Sequence, residues 1–567
     1  MALFKNPTYQ FLLFLGLFFV INLLQSTYTG LLEDEAYYWV WSENLAWGYF
    51  DHPPMVAVFI WLGRLLFEGE LGVRILSSIS FSLMLWIIWK TIDSKEKQEH
   101  VGLFFMLVVS LALLQVYGFI STPDTPLLLF TAIFFWSYKQ FLSNENMQNI
   151  LLLGFSMAAL LYSKYHGSLI ILFVVLSNLR LLLSSRFWLA GIFGLILFAP
   201  HLFWQYEHGF PSFVYHLKER GHKPYSIGFT LNHLLNIIVV VGITFPVIYK
   251  AFFKSTTRDK MDRSLKFVVY GFVIFFFLSS FKSQPQAQWL AAILIPLCIL
   301  TFPVFIRDPI ARKWLYRLGF AQLAIVLVAR VFLASPSLSP VTLEPHLAKT
   351  WVPQLKAKTQ DSPIVFVNSY QNASVYKFYT GIQTHSFGIP RGRKSQYYLL
   401  NTESLMQGKS VFAVGKQLTD HNFLVKKSDE ELFGYEIDPF SSFQRLQCEI
   451  DEESLEFRPG KEARISFTLS NPYDQTITFE NTEFFGIFQG DRKIVLDEVS
   501  LNLSDMRPIS AKEERKVEAV FAVPHISAEE QITFRIGLSF HDLPPGVQGN
   551  RVTAHFQKNV EKDQSEF

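Results

Sequence analysis

The strongest constraint in this sequence is a set of apolar blocks, each about 16–25 residues long, crowded into the first 335 positions. A bilayer core is crossed by roughly 20 apolar residues in a helix, because lipid offers backbone N–H and C=O groups no partner. Charged residues make up 17% of the 567-residue chain, against roughly 25% in soluble domains. Beyond Pro336 the composition becomes that of an ordinary soluble protein. The sequence thus predicts a polytopic α-helical membrane region followed by soluble parts. Spanning helices are expected near 8–24, 72–92, 100–118, 125–142, 149–164, 166–183, 187–204, 227–250, 266–281, 288–306 and 314–334, about eleven crossings. The first segment follows a single Lys5 and has no small-residue cleavage site after it, so it reads as a spanning helix, not a leader.

Charge placement gives an orientation. The short basic connections Lys90–Lys97, Lys254–Lys266 and Arg307–Arg317 fall on one side, with Lys5, Arg180 and Arg186, and cytoplasmic loops are the basic ones. An odd number of crossings then places the C-terminal part outside, in the periplasm of a bacterium whose inner membrane holds the protein. Polar and ionisable residues gather on that outer side, in 25–71, 119–125, 205–226 and 282–288. A site handling a charged lipid head group is built this way.

The domain division read from the sequence is 1–335 membrane, 336–440 a small α/β unit, and 441–567 a β-sandwich with immunoglobulin-like strand patterning. Strands are expected at Ala463–Leu469, Thr476–Glu480, Phe484–Phe488, Arg515–Phe521, Ile532–Leu538 and Val552–Phe556. Net charge is +2 and no basic run suggests nucleic acid. The two cysteines, Cys298 in an apolar block and Cys448 in the soluble part, make no disulfide framework.

The first outer loop carries Glu33-Asp34-Glu35-Ala36-Tyr37-Tyr38 and then Asp51-His52-Pro53-Pro54. On a helix beginning at these acids, Asp34 and Tyr38 share a face. A carboxylate there could deprotonate an acceptor hydroxyl or help to hold a divalent cation, and it also reads as a helix cap. The paired prolines hold Asp51 and His52 in an extended turn. Asp124, in Ser121-Thr122-Pro123-Asp124, is a second acid on the same side and again a good cap. Lys164 and His166 lie between two short apolar runs. Lys164 could snorkel to the interface or contact a lipid phosphate. The Arg220 guanidinium can grip two phosphate oxygens. There is no Walker motif, no GxGxxG and no zinc-ligand cluster, which fits a donor that arrives within the membrane.

At these residues the sequence resembles the bacterial members of the dolichyl-phosphate-mannose protein mannosyltransferase group, which have the GT-C fold and include the lipid A aminoarabinose transferases among their relatives. The matching pieces are Asp34-Glu35-Ala36-Tyr37-Tyr38, Tyr49-Phe50-Asp51-His52-Pro53-Pro54, Thr122-Pro123-Asp124, Ser163-Lys164-Tyr165-His166, and Trp204 with His208-Gly209-Phe210 and Ser212-Phe213. The resemblance implies an inverting glycosyltransferase that moves a sugar from a polyprenyl phosphate to a protein, lipid A or envelope-glycan acceptor. Asp34, Glu35 and Asp124 would be its catalytic acids. Tyr38, Asp51, His52, Lys164, His166 and Arg220 would bind the donor phosphate or the substrate. A divalent cation at Asp34 and Asp124 is compatible with this chemistry but not required by it. His52 departs from the pattern, since the aminoarabinose relatives carry a lysine there. Two rivals remain at this stage: a transporter or flippase of a lipid-linked substrate, and a membrane scaffold whose sandwich binds a partner.

Overall fold

The computed structural model describes residues 6–219, 225–418, 421–490, 493–526 and 531–557. The chain divides into two compact units, Met1–His346 and Leu347–Phe567.

The first unit is helical. Its helices are α1 (Pro7–Tyr28), α2 (Glu33–Glu43), α3 (Met55–Arg64), α4 (Gly69–Thr91), α5 (Val101–Val109), α6 (Asp124–Ser143), α7 (Met147–Ser163), α8 (Gly167–Ser177) and α9 (Ser185–Glu207). After the short α10 (Pro211–Val214) come α11 (Ile227–Val241), α12 (Phe245–Lys254), α13 (Lys260–Ser279), α14 (Leu294–Arg307), α15 (Pro309–Ala334) and the start of α16 (Glu344–Thr359). Local chemistry sets several starts. Asn6 accepts from the Thr8 amide at 2.9 Å ahead of Pro7, and Asp308 accepts from Ile310 and Ala311 at 3.1 and 3.0 Å ahead of Pro309.

By length and composition six segments among the described residues are able to cross a membrane: Pro7–Tyr28, Gly69–Thr91, Ser185–Glu207, Ile227–Lys254, Ala287–Arg307 and Pro309–Ala334. Met55–Arg64, Met147–Ser163 and Gly167–Ser177 are shorter apolar helices. The unit is a multi-pass membrane unit, but fewer than the expected eleven segments meet the span length. The segment expected to cross at 100–118 is interrupted: α5 ends at Val109, and buried Ser110 turns its hydroxyl back to the Met106 carbonyl at 2.8 Å. Gly242, at φ 83°, breaks Ile227–Lys254 into α11 and α12. Helix α3 was not among the expected crossings, but it starts directly after Pro53-Pro54, where prolines also mark a helix start. Helix α14 is enclosed by its neighbours, whereas α1 exposes Leu12, Leu13, Leu17 and Leu24, the apolar surface that lipid covers.

The basic connections meet at one end of this unit. Arg258 donates to the Asp93 carbonyl at 3.3 Å, Lys139 to the Thr91 carbonyl at 2.9 Å, and Lys254 pairs with Asp308 at 2.8 Å. The opposite end carries the acidic turns.

The second unit holds β1 (Ile364–Val367), α17 (Tyr370–Thr380), β2 (Thr384–Phe387), β3 (Val411–Gly415), β4 (Phe423–Lys427) and β5 (Glu430–Ile437), in a sheet of order β2-β1-β3-β5-β4. Strands β1, β2 and β3 run parallel. There follow β6 (Gln447–Glu449), β7 (Ser454–Phe457), β8 (Glu462–Ser470), β9 (Thr482–Gln489), β10 (Val495–Ser500), β11 (Asn502–Leu503), β12 (Glu514–Ala522), β13 (Ile532–Phe540) and β14 (Val552–Phe556). They form two sheets, β10-β9-β13-β14-β7 and β11-β12-β8-β6. Five of the six expected strands are present. The sixth, Thr476–Glu480, is reduced to one bridge between Ile477 and Ile509. The mixed sheet and the sandwich share one apolar core, with Val365 and Phe387 in the same cluster as Phe457 and Phe534. Buried Glu403 fastens them: Ser442, the Gln444 amide and Tyr473 donate to it at 2.7, 2.9 and 2.7 Å.

Candidate active site at the acidic end of the helical unit

Helix α2 begins at the three acids, and each has a different fate. Its N-cap position, Leu32, has no side-chain acceptor, so the first amides need partners from elsewhere. Glu35 accepts from the Leu32 amide at 3.0 Å, and Glu344 accepts from the Glu33 amide at 2.8 Å. The cap expected of these residues is thus made by Glu35 and Glu344. Asp34 is exposed.

Glu35 is wholly buried, and so is Arg74 on α4. Arg74 Nε donates to Glu35 Oε1 at 2.7 Å and Nη2 pairs with Oε2. The guanidinium also donates to the carbonyls of Thr29 and Gly30 at 2.5 and 2.9 Å, and Glu35 accepts from the Ser121 amide at 2.8 Å. One buried ion pair therefore locks together the end of α1, the start of α2, α4 and the 121–124 turn. The turns bearing Asp34 and Asp124 lie on the same side and meet through Glu35.

Asp124 is the first residue of α6, and Lys164 follows the last residue of α7. A tight antiparallel pair brings those two ends together. Lys164 Nζ lies 2.8 Å from both Asp124 carboxylate oxygens, and both residues are buried. A buried pair of this kind is held by its geometry, since neither charge is hydrated.

The Asp51-His52 turn is clamped from three directions. Tyr37 donates to Asp51 Oδ2 at 3.0 Å. The Asp51 carbonyl faces His216 Nε2 at 2.9 Å, and Ser212 donates to the Tyr49 carbonyl at 3.0 Å. Buried His201 meets the Trp47 carbonyl at 2.7 Å and the Tyr165 hydroxyl at 3.1 Å. Gly48 lies so close to Trp204 that a Cβ there would sit 2.3 Å from the indole. The His52 ring lies 6.3 Å from Tyr38 and 5.9 Å from His216. His166 packs instead against Phe276 and Trp289, at 5.3 and 5.7 Å. Arg220 and His222 lie outside the described residues.

Of the expected site residues, hydrogen bonds and ring contacts join Glu35 to the Asp124 turn, Asp124 to Lys164, and Tyr38 through His52 to the Asp51 turn. Arg74, His201 and Gln205, which donates to the Tyr165 and Ser212 hydroxyls at 3.1 and 2.8 Å, were not foreseen, and Ser212 stood only in the resembling Ser212-Phe213 stretch. The signal for Arg74 was present: a lone arginine inside an apolar crossing needs a partner. No group of three or more His, Cys, Asp or Glu among the described residues is arranged to hold a metal ion. The Lys164 ammonium is paired with Asp124, and no step is assigned to a cation.

These elements define a polytopic helical membrane unit with an acid-rich, aromatic-lined end and a β-rich unit after it. A family model described as dolichyl-phosphate-mannose-protein mannosyltransferase matches residues 51–204, a stretch containing Asp51, His52, Asp124, Lys164 and His166. The chain is 25% identical over 284 residues to the lipid A galacturonosyltransferase RgtD of Rhizobium johnstonii, covering 46% of this chain and 58% of that protein. The chain thus spans less than two thirds of this curated relative. The crystal structure of ArnT from Cupriavidus metallidurans in the apo state matches with a TM-score of 0.54 at 14% identity, over 75% of this chain and 98% of that one. The same protein bound to undecaprenyl phosphate matches at 0.53 and 14%, over 75% and 97%. The resemblance to GT-C glycosyltransferases read from the sequence is borne out, and the likeness to the solved structures shows a shared fold.

Proposed function

We propose that the chain is a glycosyltransferase that moves a sugar from a polyprenyl phosphate to an acceptor on the outer face of the inner membrane. The observation that carries this reading is the convergence of two acidic turns at the end of the helical unit opposite its basic connections, one joined to the other through Glu35 and the Ser121 amide. That end faces the periplasm by the positive-inside rule. Counting α5, α6, α7, α8 and α13 beside the six long segments gives about eleven crossings.

The chemistry follows from the positions of the groups. Exposed Asp34 accepts the proton of the acceptor hydroxyl, whose oxygen attacks the anomeric carbon with inversion. The bond to the phosphate oxygen breaks and polyprenyl phosphate leaves. Charge grows on that phosphate, so fixed cations and N–H donors matter more than a strong nucleophile. Lys164 has three N–H groups; two point at Asp124 and the third serves a phosphate oxygen. His52 and His216 add donors whose charge depends on pH. Asp124 holds Lys164 in place.

The ArnT structure bound to undecaprenyl phosphate supports a carrier-lipid donor, and the likeness to the lipid A galacturonosyltransferase RgtD favours a lipid A acceptor. Mass analysis of lipid A, envelope glycans and lipid-linked sugars in a deletion strain tests this. We expect one sugar-bearing species to disappear and its carrier-linked sugar to accumulate. An unchanged profile in both fractions would refute the proposal.

A further inference from the structure

Helix α15 buries one charged side chain. Arg330, about one turn before the helix ends at Ala334, is only 8% exposed although it lies in an apolar span. An ionisable group at that depth is costly and points to a function. We propose that Arg330 is a positioning residue of the transfer site: it fixes the stretch 115–121 that leads into α6, and with it the Asp124–Lys164 pair. The inference rests on the transferase reading and adds to it a residue from the far end of the helical unit.

The partners of Arg330 are neutral. Nη2 donates to Asn22 Oδ1 on α1 at 2.8 Å and to the Gln115 carbonyl at 2.9 Å, and the guanidinium lies 4.7 Å from the centre of the Phe119 ring. Nη1 is buried and meets no acceptor among the described residues. Arg74 differs, since its charge is met by Glu35. A buried cation with no carboxylate beside it is not held for stability, because an apolar side chain of similar volume would pack there without the desolvation cost.

What Arg330 holds is the approach to Asp124. Gln25 on α1 donates to the Arg330 carbonyl at 3.0 Å, so α1 and α15 are tied twice. Gln115 in turn donates to the Val108 carbonyl at the end of α5, at 2.7 Å. Ser78 on α4 donates to the Gly118 carbonyl at 3.0 Å, and a Cβ on Gly118 would lie 2.3 Å from Asn22 Nδ2. The stretch therefore lies directly against α1. Two further bonds carry the constraint onward: the Ser121 amide donates to Glu35 at 2.8 Å, and the Thr125 hydroxyl to the Ile120 carbonyl at 2.7 Å. Between them Asp124 opens α6, with Lys164 at 2.8 Å from both its oxygens. A misplacement of about 1 Å there costs catalysis far more than stability, because charge on a leaving phosphate is stabilised only by groups already in place.

The test compares Arg330→Met and Arg330→Lys with the natural full-length protein in liposomes. One readout is release of polyprenyl phosphate from a polyprenyl-phosphate sugar. The other is the rate at which an amine-acetylating reagent labels Lys164, with Lys139 at the basic end as control. We expect Arg330→Met to melt at the natural temperature or above. Its kcat should fall roughly tenfold or more with donor KM nearly unchanged, and Lys164 should label several times faster while Lys139 labels as before. Arg330→Lys, which keeps the charge and a donor for Asn22, should recover part of both losses. Unchanged Lys164 labelling in Arg330→Met overturns the proposal whatever the activity. A lowered melting temperature with faster labelling of both lysines also overturns it, by making Arg330 merely structural. If Arg330→Met does not fold, Asn22→Ala, which frees the guanidinium from α1, decides by the same labelling. If the natural protein releases no polyprenyl phosphate, the transferase reading fails, and Lys164 labelling alone decides whether Arg330 sets the pair.

Discussion

A guanidinium and a carboxylate shut away from water are costly unless every N–H and lone pair is met, and Arg74 with Glu35 come close to that limit. Their bonds run to four separate stretches of chain, so their function is to set positions, not to exchange protons. Breaking a buried pair by removing one partner costs about 3–5 kcal/mol. Glu35→Gln and Arg74→Met should therefore each lower the melting temperature sharply, read by thermal denaturation in detergent. Glu35→Gln with unchanged melting and no turnover would instead place Glu35 in the chemistry. Asp124 and Lys164 are coupled in the same way. Asp124→Asn and Lys164→Ala should each reduce transfer at least tenfold, and the double variant should lose less than the sum of the two. Additive losses would show that the pair does not act as a unit. The acids of this site were legible in the sequence because polarity beside an apolar block is expensive. Their division of labour was not. Glu33, Asp34 and Glu35 are equivalent letters until the fold supplies Arg74, Ser121 and Glu344.

Among the elements, the order of membrane helices could be read from hydropathy, but their interruptions could not. Hydropathy does not register that a buried serine after α5 bonds back on its own helix, or that Gly242 adopts a positive φ. The turn from Trp47 to His52 shows the same limit. Its prolines announced a rigid segment, while the clamp on it comes from His201, Ser212 and His216 on other elements. Packing there leaves no spare volume. Gly48→Ala should force the turn off Trp204, costing about 1–3 kcal/mol by overpacking and lowering turnover. Trp204→Leu in the same chain should recover part of both losses. Full activity and stability of Gly48→Ala would show that the turn is not held as described.

At the scale of the whole molecule each unit carries its own test. In the C-terminal unit burial pushes the His385 imidazole down from its ordinary value to about 3. Its folded pKa lies below its unfolded one, so the unfolded state takes up the proton first. The neutral ring's contribution is intact above about pH 6.5 and is lost progressively as the pH falls toward 3. Relative to His385→Gln, the natural protein should lose about 1.4 kcal/mol per pH unit in that window, read as the difference between melting curves at pH 7 and pH 5. Parallel curves would contradict a neutral buried histidine. The helical unit answers to lipid, and its central claim is functional: the acidic end transfers a sugar from a carrier lipid. The most direct measurement reconstitutes the purified protein in liposomes with a polyprenyl-phosphate sugar donor and lipid A, and follows release of polyprenyl phosphate. Release should occur with the natural protein and cease in Asp34→Asn, with that variant inserted and melting normally; release at the natural rate from the variant would contradict the account.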